Sequence, residues 1–237
     1  MNPIEKRLEL LRNNIAQAAQ KNKRSLEDIH LICVSKYAGI EDVAEAVRCG
    51  CYEIGENRFQ DMRKKYEALE NILPAVDFQK IKWHFIGHLQ TNKIKSVLRY
   101  ASMIQSVDSL NLIDLISEQA KKINRKIDIL LQVNISKEDS KFGLEAAQVN
   151  DVLPRVFKCP NLCIKGLMGI AQFSDNTDLL RREFSALKQL FDAQNDLLKE
   201  NGHTQLSILS MGMTNDYKIA IEEGSNMIRL GSAIFGG

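Results

Sequence analysis

Short apolar runs alternate with longer amphipathic stretches from one end of the chain to the other. The runs cover residues 30–36, 52–57, 82–87, 103–107, 127–134, 163–170, 206–213 and 227–234. Their length and continuous apolar character predict strands buried on both faces. The intervening stretches, 40–49, 58–71, 89–100, 110–123, 144–157, 177–201 and 216–223, carry apolar residues at spacings of three and four and predict helices. In 110–123 the stripe is Leu110, Leu112, Ile113, Leu115, Ile116, Ala120 and Ile123. Gly50, Gly202 and Gly224 sit just past predicted helix ends, where a left-handed cap favours glycine. Repeated strand–helix units require parallel strands joined by helical crossovers. Eight of them predict an α/β fold, a single (β/α)8 TIM barrel forming one domain over residues 1–237. An additional N-terminal helix is expected over 4–20, with Ile4, Leu8, Leu11, Ile15 and Ala19 along one stripe. Gly236-Gly237 follows the eighth run directly, so no eighth crossover helix is expected, and the N-terminal helix is predicted to cover that gap. The rival is a doubly wound open sheet. Its dinucleotide-binding form is weakened because no Gly-x-Gly-x-x-Gly follows the first strand.

Composition narrows the partners. Hydrophobic residues make up 44% of the 237, enough for a sizeable core, and 32 basic residues against 30 acidic leave a net charge of +2. That balance gives no electrostatic footprint for nucleic acid or for an anionic membrane. No apolar stretch approaches the roughly 18 residues of a membrane span. Residues 1–24 are charged throughout and include Glu5 and Glu9, unlike a signal or transit peptide, so the expected location is cytoplasmic. The five cysteines, an odd count, argue for reduced thiols. The Cys49-x-Cys51 and Cys159-x3-Cys163 spacings fit no common zinc pattern and read as small buried thiols, with metal as the alternative.

In a barrel, chemistry gathers at the C-terminal ends of the strands. The first run, Leu31-Ile32-Cys33-Val34-Ser35-Lys36, ends on a lysine. Such an amine, if desolvated, reaches its neutral form more readily and can attack a carbonyl to form a Schiff base. The other ends give Gly55-Glu56-Asn57-Arg58, a polar stretch from His84 to Lys93, Ser106-Val107-Asp108, Gln132-Val133-Asn134, Gly166-Leu167-Met168, Ser210 to Asp216, and Arg229-Leu230-Gly231-Ser232. Gly231-Ser232 and Ser210-Met211-Gly212-Met213 follow the eighth and seventh strands, where barrels often bind phosphate; simple turns are the alternative. His84 and His88 are four apart, but Gly87 and the strand-to-helix change between them argue against a metal pair; His84 reads as a hydrogen-bonded pocket or core residue. Arg229 on a buried strand needs a partner, either a ligand or a structural ion pair. Met211 and Met213 read as packing residues. Lys121-Lys122 and Arg63-Lys64-Lys65 read as solvated helix faces.

Taken together, Val34-Ser35-Lys36, Gly55-Glu56-Asn57-Arg58, the segment from Trp83 to Lys93, Leu131-Gln132-Val133-Asn134, Lys141-Phe142-Gly143, Gly166-Leu167-Met168, Ser210-Met211-Gly212-Met213 and the segment from Arg229 to Gly236 resemble the pyridoxal phosphate homeostasis protein family, in order and over nearly the whole chain. The resemblance implies a barrel like the N-terminal domain of alanine racemase. It implies pyridoxal 5′-phosphate held on Lys36 as an internal aldimine, with the phosphate near Ser210 and at Gly231-Ser232, Arg229 near the pyridine nitrogen, and Asn57, His84 and the Met211 region lining the ring. Tyr37, Thr214 and Gly169-Ile170-Ala171 depart from the family's usual residues without removing a named contact. An arginine at the pyridine nitrogen leaves the ring a poor electron sink. The resemblance therefore implies an intracellular carrier that buffers the cofactor and can deliver it to apoenzymes, with an amino-acid racemase as the alternative. Racemisation needs acid–base groups on both faces of the substrate, and in the resembling racemases a partner subunit's second domain supplies one. The sequence here stops after the eighth strand, which favours the carrier. A cofactor-free Schiff-base aldolase is a third reading. A monomer is expected.

Overall fold

Every one of the eight apolar runs forms a strand, and the strands pair in parallel and in sequence order until β8 returns to β1. The computed structural model describes residues 2–136 and 142–236; Met1, Gly237 and the segment containing Lys141 of the Lys141-Phe142-Gly143 motif lie outside the described residues. The strands are β1 (His30–Val34), β2 (Glu53–Glu56), β3 (Lys82–Phe85), β4 (Met103–Val107), β5 (Ile127–Val133), β6 (Leu162–Gly169), β7 (Ile208–Ser210) and β8 (Met227–Leu230). The helices are α1 (Pro3–Gln20), α2 (Ile40–Arg48), α3 (Phe59–Ile72), α4 (Ala75–Phe78), α5 (Ile94–Tyr100), α6 (Leu110–Lys122), α7 (Gln148–Phe157), α8 (Thr177–Glu200), α9 (Tyr217–Glu222) and α10 (Ser232–Phe235). The closed TIM barrel replaces the open-sheet rival.

Two cores result, because alternate strand residues face opposite sides of the sheet. Ile32, Val34, Met103, Leu130, Met168 and Met227 fill the barrel interior, joined by Ile86, Ile170 and Ile208. A larger cluster, with Trp83 and Phe184 among its bulkiest members, lies between the strands and the helices. α1 starts on a capping box, in which the Asn2 side chain accepts from the Ile4 N–H and Glu5 reaches back to the Asn2 N–H. It buries Ile4, Leu8, Leu11, Ile15 and Ala19, the expected stripe, and packs on α9, α10 and α2 across the β1–β8 seam.

The boundaries differ where local contacts override the apolar pattern. β1 stops at Val34, before Ser35 and Lys36. Residues 89–93 are not α-helical: Leu89 is buried as a loop anchor and a 3-10 turn over Thr91–Lys93 precedes α5. α7 starts at Gln148 because Leu144 is drawn to the sheet, its N–H donating to the Gln132 carbonyl at 2.8 Å and its carbonyl accepting from Asn134 at 2.9 Å. β8 ends at Leu230, and the chain then turns at Gly231 into the short helix α10, so a helical turn does follow the last strand. The Ile234 and Phe235 N–H groups both return to the Gly231 carbonyl at 2.9 Å.

Candidate functional site

The C-terminal end of β1 is pinned from below. The Ser35 N–H donates to the Gly55 carbonyl at 3.0 Å, and the Ser35 hydroxyl donates to Glu56 Oε1 at 2.6 Å. Lys65 reaches up from α3, bonding Glu56 Oε1 at 2.5 Å and also the Ser35 carbonyl. Both Glu56 and Lys65 are buried. With Ser35 held at its N–H, hydroxyl and carbonyl, the chain turns sharply and the Ala38 N–H closes back on the Ser35 carbonyl at 2.8 Å. Lys36 emerges from that turn exposed at the barrel mouth, its Nζ 5.2 Å from the centroid of the Tyr37 ring, which is itself 91% exposed. This corrects the expectation of an amine desolvated at the end of a buried strand. It also corrects Lys65, expected on a solvated face. Lys65 shares the buried stripe of α3 with Met62 and Leu69, while its neighbour Arg63 does lie on the surface, paired to Glu67 at 2.7 Å.

Across the seam, β8 brings Arg229 inward. Its guanidinium is buried, with Nη1 donating to Ser210 Oγ at 2.7 Å and Nη2 to the Gly169 carbonyl at 2.8 Å. Burial pushes it down to about 10, only partly countered by the nearby Asp216 carboxylate, so it stays cationic at neutral pH. Asp216 is itself pushed up by burial and accepts the Met213 N–H at 2.5 Å, which fixes the loop after β7. That loop meets the one after β8, where Ser232 Oγ lies 3.3 Å from Thr214 Oγ1. Gly231 sits where a Cβ would come 3.0 Å from the Val34 carbonyl, so the β8 end closely approaches the end of β1.

The other expected site residues separate. Ser210 is fully buried, its hydroxyl donating to Gln105 Oε1 at 2.7 Å, and so it lies beneath Arg229 rather than beside Ser232. Met211 is fully buried in the core between sheet and helices, as its packing reading expected. His84 points into the barrel, 3.1 Å from Gln105 Nε2 at one ring nitrogen and 3.6 Å from Glu53 at the other. Burial pushes His84 down to about 4, so it is neutral. Asn57 is half-buried at the mouth, and its backbone is crossed by Gly87, where any Cβ would lie 2.2 Å from the Asn57 carbonyl. Above them His88 stacks on Phe142 at 3.9 Å between ring centroids and approaches Asp108 at 3.4 Å. Lys36, Gly231 and Ser232 thus gather at the mouth of the β1–β8 seam, Arg229 and Ser210 lie bonded to each other beneath it with His84 inside the barrel, and Met211 packs in the core between sheet and helices.

Comparison with known proteins bears directly on this arrangement. Residues 7–237 match the family model described as alanine racemase, N-terminal domain. The pyridoxal phosphate homeostasis protein of Pasteurella multocida is 36% identical over 235 residues, which cover 98% of this chain and 97% of that protein. The protein of the same name from Aquifex aeolicus is 36% identical over 236 residues, 100% of this chain and 98% of its own. The chain belongs to the pyridoxal phosphate homeostasis protein family. Among solved structures similar to this family member is PipY of Synechococcus elongatus with pyridoxal phosphate bound, at a TM-score of 0.81 and 28% identity, covering 98% of this chain and all of that one.

Three residues of this pyridoxal phosphate homeostasis family member escaped the sequence reading as site components. Lys65 was detectable as a cation falling on an apolar stripe. Thr214 stands in the polar segment after the seventh strand and departs from the family's usual residue, without marking that its hydroxyl meets Ser232. Gln105 gave no signal, since a neutral amide inside an apolar strand becomes informative only when the barrel shows which way it faces.

Proposed function

We propose that this protein holds pyridoxal 5′-phosphate reversibly on Lys36 as part of intracellular cofactor homeostasis, and that it works as a single barrel domain over residues 1–237, monomeric and cytoplasmic. Among the described residues no helix is long and apolar enough to cross a membrane. The observation that carries the reading is the meeting of an exposed lysine, paired loop hydroxyls and a buried arginine at one seam of the barrel.

The residues fit such a group. Thr214, Ser232 and the backbone at Gly231 offer hydroxyl and N–H donors for a phosphate. Arg229 has donors but no acceptor, so it can hydrogen-bond an unprotonated ring nitrogen and cannot take a proton from it. Asn57 borders the same mouth. In this reading Ser210 acts from beneath Arg229, and Met211 contributes backbone position rather than a side-chain contact. Bound there, the cofactor supplies an aldehyde carbon for a reversible covalent link to an amine. Lys36, fixed by the Ser35–Glu56–Lys65 clamp but open to solvent, offers that amine to incoming cofactor and leaves the link accessible for release.

Holding, rather than turning over, is the favoured role, and PLP-dependent apoenzymes are the proposed recipients. The relatives' names support this, as does a buried His84 whose two ring nitrogens face Gln105 and Glu53. The test is an absorbance titration of wild type and Lys36→Ala with pyridoxal phosphate. Wild type is expected to develop a visible band with one equivalent, and the variant none. A band retained in Lys36→Ala removes the tether. Amino-acid racemisation at roughly 1 s⁻¹ or faster would replace the carrier reading with the racemase.

A further inference from the structure

A line of polar side chains crosses the otherwise apolar barrel interior. Arg229 Nη1 donates to Ser210 Oγ at 2.7 Å; the Ser210 hydroxyl donates to Gln105 Oε1 at 2.7 Å; Gln105 Nε2 lies 3.1 Å from His84 Nδ1; and His84 Nε2 lies 3.6 Å from Glu53 Oε2. Gln105 Nε2 also lies 3.3 Å from Met227 Sδ. Glu53 begins β2 at the opposite end of the barrel from the mouth, where it accepts from His30 at 3.3 Å and approaches Lys82 at 3.8 Å. It borders a cavity of about 430 Å³ there.

The donors can run in only one direction. Arg229 has no acceptor, so Ser210 Oγ must accept from it and send its own proton onward. Gln105 takes that proton on Oε1, which turns its NH₂ toward His84. A reversed amide would leave the Ser210 hydroxyl without an acceptor in a fully buried site. The His84 Nδ1 atom then accepts, so its proton sits on Nε2 and faces the Glu53 carboxylate. Burial works to raise the Glu53 carboxyl, but the His30 hydrogen bond and the nearby His84, His30 and Lys82 hold it below its ordinary value, so the line ends on an anion. Arg229, Ser210, Gln105 and His84 form an aligned hydrogen-bonded chain in which each bond polarises the next, and the Glu53 carboxylate faces its end at 3.6 Å, beyond hydrogen-bond distance.

We propose that Gln105 and His84 are positioning residues: through Ser210 they orient the Arg229 guanidinium toward the ring nitrogen of the bound cofactor, and His84 itself touches no part of the cofactor. This deepens the reading of Arg229 given above and rests on it. Removing Gln105 frees the Ser210 hydroxyl to rotate and lets the guanidinium tilt, while leaving the amine and the phosphate loops untouched.

Two measurements on the full chain test it. The first needs no cofactor: ¹⁵N shifts of the His84 ring in wild type and Gln105→Leu, with Gln105→Met as the second variant should the first fail to fold. Wild type is expected to hold one tautomer with Nδ1 unprotonated, and the variants a mixture. An unchanged ring overturns the relay. The second compares dissociation constants for pyridoxal phosphate and for its analogue with carbon in place of the ring nitrogen. Wild type is expected to favour the natural ring by about tenfold, a ratio that collapses toward one in Gln105→Leu and His84→Leu. It is expected to persist in His84→Gln, whose Oε1 can still accept from Gln105. Equal weakening of both ligands in Gln105→Leu overturns the positioning role. A wild type that does not discriminate overturns the placement of Arg229 at the ring nitrogen and with it this use of the relay, while the ring shifts still report whether the relay exists.

Discussion

Under Lys36 the decisive residue is Glu56, a fully buried carboxylate whose Oε1 receives both the Ser35 hydroxyl and the Lys65 ammonium. Removing one partner of a buried pair strands a charge in low dielectric, which is far costlier than removing both. Lys65→Met is therefore expected to destabilise the fold by about 3–5 kcal/mol in urea denaturation, and Lys65→Met combined with Glu56→Gln to regain more than half of that. A second titration belongs to His84, whose ring is buried neutral and pushed from 6.5 to about 4. Its folded value lies below its unfolded value, so the unfolded chain binds the proton first as pH falls. Its contribution is complete above about 6.5 and is lost between there and about 4. The loss approaches about 3 kcal/mol; the slope of stability against pH across that window should flatten in His84→Gln. Lys36 and Arg229 were legible as chemistry because a charge ending or interrupting an apolar strand is unusual in sequence. The exposure of Lys36 was not legible, because it depends on a turn set by Glu56 and Lys65, whose partnership spans two elements.

At the scale of elements, a strand covered on both sides reads as one unbroken apolar run, and this made all eight strands recognisable. The same property hid the inward–outward alternation, and with it the roles of Ser210 and Gln105. Ends were less legible than centres because single backbone bonds decide them, as Leu144 shows by joining the sheet from within an apparently helical stretch. α1 was read correctly as the cover for the seam, since an apolar stripe of that length needs a surface and α9 and α10 leave one. Leu8 is fully buried at this contact. Leu8→Ala should cost about 2–5 kcal/mol in thermal or urea unfolding. Because the cavity lies behind the sheet, it should leave the stoichiometry of cofactor loading unchanged at a temperature where the variant is folded.

For the whole molecule, the proposed solution state is one chain, and light scattering should return the mass of a single 237-residue polypeptide with and without cofactor. A stable dimer mass would move the search for release partners to a subunit interface. The seam has a further consequence, in the order of folding. Arg7 of α1 meets the Ile234 carbonyl 227 residues away, and β1 pairs with β8 along four registered residues from His30↔Met227 to Cys33↔Leu230. Contacts so distant along the chain place barrel closure among slow, non-local events. Before closure, two strands carry open edges and the apolar stripe of α1 has no surface to cover, which is the state most open to aggregation. Lys36 stands on one side of this seam and Arg229, Gly231 and Ser232 on the other, so a ligand held between them would bind only after the ring has shut. By mass action it would then keep the ring shut, so cofactor supply would set how long each newly folded barrel stays closed.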